Sequence, residues 1–265
     1  MRVINHYLTN DFVRMIARAF LPSFIRDWLR ANQRYFRLQS PRAGTVKKTD
    51  LWRITPISRI FGLNRGLPID RYYIEQFLAK NSKDIWGRVL EVGDDFYTRK
   101  FGGNGVTKCD VLHVADGSSA ATIVADLTRA DHIPSDTFDC IILIQTLQMI
   151  YDVSRALNHL YRILKPRGVL LVTSHGISKI GRREGIDHWG EYWRFTAQSS
   201  SRLFKEAFPG ANISVTTYGN VLAAIAFLQG LAVEEMQKEE LDYFDPDYEV
   251  IVTVRAVKPS PGNII

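Results

Sequence analysis

Two cysteines in 265 residues, Cys109 and Cys140, are too few to staple a fold. A disulfide-framed secreted domain is therefore excluded. Both thiols lie in runs that read as buried strands; a disulfide between them is geometrically allowed, but two reduced core cysteines in a cytoplasmic protein are the expectation. No apolar run reaches the roughly eighteen residues of a membrane span. Arg14, Arg18, Arg26 and Arg30 interrupt the apolar stretches near the amino terminus, so no signal-peptide pattern is read there. The chain also lacks a G-x-G-x-x-G run, which argues against a nicotinamide-dependent dehydrogenase or a sugar epimerase. His6, His132 and His159 stand apart from one another and from both cysteines. His113 follows Cys109 by four positions, but no second pair completes a ligand set, and no metal is predicted.

What is present is ordinary globular material. Hydrophobic residues make up 46% and charged residues 23%, in a length that suits one large domain or one domain with an appendage. The net charge of +6 is unevenly placed: residues 1–50 hold ten Lys/Arg against three Asp/Glu, and the rest of the chain is nearly neutral. A near-neutral body argues against a nucleic-acid groove, and no nucleic acid is expected as a partner. Within the basic segment Phe12, Met15, Ile16, Ala19 and Phe20, then Phe24, Ile25, Trp28 and Leu29, recur at helical spacing, and Pro22 divides them into two helices. Two readings stay open: a helical arm packed on the main body, or helices presented to a membrane surface or a protein partner. Residues 38–50 read as a linker. An irregular stretch, 59–70, leads into a helix over 71–79 whose Tyr73, Phe77 and Leu78 face inward.

From Trp86 onward strands and helices alternate. Strands are predicted over 88–92, 106–111, 121–124, 138–143, 169–174, 213–217 and 250–256, with a helix over 153–164 stopped by Lys165-Pro166-Arg167-Gly168. Seven strands interleaved with helices imply an α/β sheet covered on both faces. In such sheets ligands sit outside the carboxyl ends of the strands, and here those ends carry polar residues. Asp110 follows Gly93 by 17 positions. That is close to the offset of about 20 at which an acid meets a ribose hydroxyl in nucleotide-binding βαβ units. Asp126-Leu127 is placed to hold an adenine ring by its amino edge.

The segments "VLEVG", "ADLTRADHIPSDTFDCIILIQTLQMIYD" and "LYRILKPRGVLLVT" resemble the class I S-adenosylmethionine-dependent methyltransferases, most specifically in the last one's helix, Lys-Pro-x-Gly turn and strand. The resemblance implies S-adenosylmethionine as cofactor, with Glu91 and Gly93 bordering its methionine moiety, Asp110 its ribose, Asp126 and Leu127 its adenine, and Gln145 lining it from the fourth strand. That cofactor carries no phosphate, so a phosphate nest is unnecessary, and carboxylates at the strand mouth favour its sulfonium and ammonium. There is one departure: Asp95 and Tyr97 stand where the family's loop, Glu-x-Gly-x-Gly-x-Gly, has its later glycines. A Cβ at those positions narrows the pocket or redirects the loop, and Gly102, Gly103 and Gly105 are placed to restore flexibility further on.

Methyl transfer is an in-line displacement, so alignment in a water-poor site and help with proton removal are what the chain must supply. His175 and His188 are the candidate bases, and Tyr72, Trp189, Tyr192, Trp193 and Tyr218 the candidate substrate contacts. Trp193-Arg194-Phe195-Thr196 also reads as a structural helix start with Thr196 as N-cap. The stretch "TPISRIFGLNRGLPIDRYYIEQFL" is similar to bacterial methyltransferase domains associated with glycan or secondary-metabolite modification. That similarity puts Arg65, Asp70, Arg71 and Tyr72 in a lid, and the alternative is a salt-bridged junction.

The expectation is a seven-stranded Rossmann-like methyltransferase sheet (81–258) with an N-terminal helical extension capping the substrate side (1–80) and a short tail (259–265). The expected reaction moves a methyl group from S-adenosylmethionine to an oxygen or nitrogen of a small-molecule acceptor, a sugar or secondary metabolite. The competing reading is an inactive domain of the same fold that binds a partner or membrane through its basic helices.

Overall fold

The computed structural model describes residues 44–47, 50, 53–115, 119–181, 190–209 and 212–260. The two helices expected near the amino terminus, most of the expected linker, His188, Trp189 and the last five residues of the tail lie outside the described residues.

Helix α1 (Ile69–Lys80) precedes β1 (Gly87–Val92), and α2 (Phe96–Phe101) leads to β2 (Val106–His113) and the two-residue β3 (Ile123–Val124). Then come β4 (Phe138–Ile144), α3 (Val153–Ile163), β5 (Leu164–His175) and α4 (Ala197–Ala207). The chain closes with β6 (Asn212–Tyr218), α5 (Val221–Gln229), α6 (Lys238–Asp242) and β7 (Ile251–Val257). The seven strands form one sheet in the order β3-β2-β1-β4-β5-β7-β6. Every neighbouring pair is parallel except those made by β7, which runs antiparallel to both β5 and β6.

The central strands β4 and β5 carry continuous apolar runs, 140–144 and 169–172, because helices cover both faces of the sheet. On one face α3 and α4 pack over Leu90, Ile141, Leu143, Leu170 and Val172. On the other, α1 and α2 cover Val89, Cys140, Ile142 and Leu171, and α5 with the start of α1 covers Ile251. Each fully buried aliphatic side chain contributes about 1.5–3 kcal/mol. Helix α3 shows the sequence logic directly. Val153, Ala156, Leu157, Leu160 and Ile163 recur on one stripe and are all buried, and Asp152 caps the start by accepting from the Arg155 amide at 3.0 Å.

Several boundaries depart from the sequence reading: α1 starts at Ile69 and takes in Asp70, and the strand expected over 121–124 is only Ile123–Val124. Helix α3 stops at Ile163, and Leu164 already pairs with Phe138, so the Lys-Pro-Arg-Gly turn lies inside β5. Bonds from the Arg167 amide to the Lys258 carbonyl, and from the Lys258 amide to the Gly168 carbonyl, tie that turn to the chain leaving β7; Arg167 adopts φ 65°. Strand β2 runs two residues past its predicted end, to His113. The cysteines sit as expected in β2 and β4. Val89 pairs with Cys109 on one side and Cys140 on the other. With β1 between them, the two cysteine backbones lie two strand spacings apart, about 9–10 Å in all and beyond the reach of a disulfide. Among the described residues no helix is long and apolar enough to cross a membrane.

Candidate functional site

Strand order reverses between β1 and β4, since β2 and β3 lie on one side of β1 and β5 and beyond on the other. A crevice at the carboxyl ends of those two strands is the expected ligand site of such a sheet. Its walls are Gly93, just after β1, and Gln145, just after β4. Both have left-handed backbones, φ 99° and φ 50°. Gly93 donates its amide to the Leu112 carbonyl, and a Cβ added there meets nothing within 4 Å. Gln145 is the stronger signal, because a non-glycine residue in that conformation is held against a cost. It is held by its amide bond to the Thr173 carbonyl (2.9 Å) and by its Oε1, which accepts from Gln148.

The acids divide differently from the expectation. Glu91 is buried, and both of its carboxylate oxygens are engaged by α2. One carboxylate oxygen accepts from the Tyr97 amide (3.1 Å), and the other accepts from the Thr98 amide and hydroxyl (both 2.7 Å). It therefore shapes the loop and start of α2, at the helix end where a negative charge is favoured. Burial pushes its carboxyl above the usual range, against the pull of those bonds. Asp110 lies within β2, opposite Leu90 and two pairs before the strand's last register with β1, not at the mouth. Its carboxylate meets Arg88 at 2.7 Å and Lys108 at 3.1 Å. Burial raises its pKa, but the two cations outweigh that and hold it below the usual carboxylate range. A 17-residue offset could not show that β2 continues past it. Asp126 does stand at the carboxyl end of β3, exposed, with Oδ1 accepting from the Thr128 amide and hydroxyl; the Leu127 side chain turns into the core.

The altered glycine positions fall at the start of α2. Asp95 precedes α2, and Tyr97 is buried within it, its hydroxyl accepting from Arg71. Gly102, Gly103 and Gly105 belong to the turn before β2, at the opposite end of the strands from the crevice, so they do not relieve the loop after β1.

At the end of β5 stands the most unusual group of side chains. His175 is buried, and neither ring nitrogen has a hydrogen-bond partner. Carboxylates flank it on both sides: Asp70 Oδ2 lies 3.7 Å from Nε2, and Glu191 Oε1 lies 3.9 Å from Nδ1. The ring stacks on Phe61 and leans on Phe227, with centroids 6.1 and 5.8 Å away. Glu191 is oriented by Arg194 (2.6 Å) and by the Gly181 amide (3.0 Å). Lys179 lies 3.5 Å over the Phe61 ring; burial lowers its pKa, with Glu191 opposing. Asp70 comes from the first turn of α1, which places the lid expectation and the junction expectation on neighbouring residues. Asp70 faces His175, whereas Arg65 makes a buried two-bond pair with Glu235.

Of the expected substrate contacts, Tyr192 and Trp193 come together with Tyr151, a residue the sequence reading missed. The Tyr151 ring lies 5.3 Å from Tyr192 and 5.9 Å from Trp193, and the Trp193 indole donates to the carbonyls of Ile150 and Tyr151. The Tyr192 amide reaches the Gln148 carbonyl, which sets this exposed aromatic group beside the β4 mouth. Tyr72 and Tyr218 lie elsewhere. Tyr72 donates to Asp242 at 2.6 Å, and Tyr218 stacks on Tyr73 in a groove of about 730 Å³ beside β6, the last strand of the sheet. Thr196 is the N-cap of α4, accepting from the Ser199 amide in a capping box.

The profile of a family described as a methyltransferase domain matches residues 69–208, just over half of the chain. Among curated proteins, the ubiquinone/menaquinone biosynthesis C-methyltransferase UbiE of Edwardsiella ictaluri (strain 93-146) is 29% identical over 36% of this chain and 46% of its own. That of Marinomonas sp. (strain MWYL1) is 54% identical over 39 residues, 15% of this chain and 16% of its own. The chain spans less than half the length of the curated relatives it matches. Among solved structures, an S-adenosylmethionine-dependent methyltransferase from Mesorhizobium loti has a TM-score of 0.46 and 16% identity, covering 72% of this chain and 98% of that one. The [4+2]-cyclase SpnF has a TM-score of 0.47 and 16% identity, covering 71% of this chain and 81% of that one.

Proposed function

We propose a function from one premise: the chain belongs to the methyltransferase domain family, the class I enzymes that use S-adenosylmethionine. It transfers the cofactor's methyl group to a small-molecule acceptor, and His175 removes the acceptor's proton. The cofactor supplies an electrophilic methyl carbon on a sulfonium. The crevice between β1 and β4 fits it: the Gly93 backbone is open on its outer side, Gln145 is held in a costly conformation at the facing wall, and Asp126 stands at the mouth of β3. These residues, with the Leu127 backbone, would hold it.

The observation that carries the catalytic reading is the imidazole between two carboxylates. A buried imidazole with both ring nitrogens unbonded, set between the carboxylates of Asp70 and Glu191, is placed to accept a proton from a bound acceptor. Apo hydrogen bonds of this kind are often long and tighten when substrate binds. The same base serves an oxygen or nitrogen acceptor and, as the C-methyltransferase relatives suggest, an activated carbon whose proton must leave. The aromatic group of Tyr151, Tyr192 and Trp193 suits a planar or sugar-ring acceptor.

The test is calorimetry with S-adenosylmethionine on the wild type and on His175→Gln, followed by acceptor turnover. The expected result is equal cofactor affinity and a turnover about 10²–10⁴-fold lower in the variant. Full turnover in His175→Gln would remove the base assignment. Absence of saturable cofactor heat in the wild type would favour the inactive-scaffold reading instead.

A further inference from the structure

Helix α5, Val-Leu-Ala-Ala-Ile-Ala-Phe-Leu-Gln, is apolar around its whole circumference. A helix of that kind is normally covered on every side. Its inner face is: Ala223, Ala224, Ala226 and Phe227 lie in the core, and Phe227 touches His175. Its outer stripe is not. Val221, Leu222, Ile225 and Leu228 fall at positions i, i+1, i+4 and i+7 and are each 37–45% exposed.

The rim of this stripe is acidic. The chain leaves α5 at Gly230 and returns to its start, where the Asn220 side-chain amide donates to the carbonyls of Glu240 and Tyr243. Over residues 233–249 that return carries eight Asp/Glu; Glu235 is paired with Arg65 and Asp242 with Lys238, which leaves a net −6. It also exposes Tyr243 and Phe244. The Gly44 amide donates to Glu235 in this same rim, so residues 1–43 join the described chain beside it. Those residues, 1–43, hold eight arginines against Asp11 and Asp27, net +6, with the apolar spacing of Phe12, Ile16, Phe20, Phe24 and Trp28 already described.

We propose that the outer face of α5 is the seat of the chain's own residues 1–43, apolar stripe against apolar stripe and arginines against the acidic rim. This rests on the fold and on charge, not on the methyltransferase reading. Reach is not limiting, because α5 is only about 14 Å long and the fifteen or so residues before Gly44 extend to about 50 Å. An anionic membrane is disfavoured because the rim repels it. A second copy is disfavoured because four half-exposed side chains offer on the order of 300 Å², against about 800 Å² per partner in a stable dimer. Seated there, the segment braces the helix that supports His175.

The experiment is timed trypsin digestion of the full chain, with cleavage at Arg14, Arg18, Arg26 and Arg30 followed by mass spectrometry. Wild type is compared with Leu222→Glu/Ile225→Glu, whose altered side chains are surface ones, and with the rim reversal Glu239→Lys/Asp247→Lys; melting midpoints check that each variant is folded. The expected result is cleavage about tenfold or more faster in both variants, and faster in wild type at about 0.5 M salt. Equal rates in wild type and variants overturn the proposal. So does a wild-type dimer that the first variant dissolves, which would seat a second copy there. Wild-type binding to phosphatidylglycerol vesicles that the same variant abolishes would overturn it in favour of a membrane.

Discussion

Replacing Glu91 by alanine tests whether this acid is a ligand contact or a structural one. In the structure its two oxygens take three hydrogen bonds, from the Tyr97 amide, the Thr98 amide and the Thr98 hydroxyl, and all three residues are buried. Alanine leaves two amides at the start of α2 without an acceptor and without water. Each orphaned donor costs about 1–3 kcal/mol. The freed Thr98 hydroxyl can rotate and adds about 1 kcal/mol at most. Relief of a buried, desolvated carboxylate offsets part of this, as its raised pKa indicates. The balance is a destabilisation of about 3–4 kcal/mol, a large share of the 5–15 kcal/mol typical of a domain. Urea unfolding followed by tryptophan fluorescence measures it. Thr98→Val, which removes one of the three bonds, is expected to cost about 1 kcal/mol, and the Glu91→Ala/Thr98→Val double variant less than the sum. A Glu91→Ala protein within about 1 kcal/mol of wild type, but unable to bind S-adenosylmethionine, would refute this reasoning and return Glu91 to the ligand.

The fold was legible because its signals are local or periodic. Strands buried on both faces leave unbroken apolar runs, as in β4, and α3 shows its stripe and its Asp152 cap within a dozen residues. Thr196 was readable as a cap for the same reason: cap and partner amide lie three positions apart. The site was less legible because its contacts follow from register and tertiary closure. The pairing of Arg88 with Asp110 depends on β1 and β2 lying side by side in one register, which periodicity does not reveal. Asp70 and His175 are 105 positions apart and meet only because α1 lies across the end of β5. Tyr151 joins Tyr192 and Trp193 through the Gln148 backbone, a contact with no sequence counterpart. Strand ends were legible where the apolar run stops at a polar residue, as at Gln145 after β4 and His175 at the end of β5. The end of β2 was less legible, because the strand runs on past Asp110 to His113.

Two further predictions bear on these assignments. Asp110, with its pKa depressed by Arg88 and Lys108, contributes stability that is fully present above the ordinary aspartate range, near 4, and is lost as pH falls through its lower folded value. Asp110→Asn should therefore be less stable than wild type at pH 7, with a flatter fall in urea midpoint toward pH 3; parallel curves would dissociate Asp110 from the ion cluster. The second concerns Gly93 and is best read against Gly103. Both have left-handed backbones, φ 99° and φ 54°, and a Cβ added at either meets nothing within 4 Å. An alanine at either site carries the same kind of backbone strain, about 1–3 kcal/mol. They differ in place, since Gly93 opens on the β1–β4 crevice and Gly103 on the turn before β2, at the opposite end of the sheet. If the crevice holds the cofactor, Gly93→Ala should weaken S-adenosylmethionine binding about tenfold or more, because the methyl group occupies the space of close backbone approach. Gly103→Ala should lower the unfolding midpoint by a similar amount and leave the affinity unchanged. Equal loss of affinity in both variants would mean that general destabilisation, and not the shape of this mouth, governs binding.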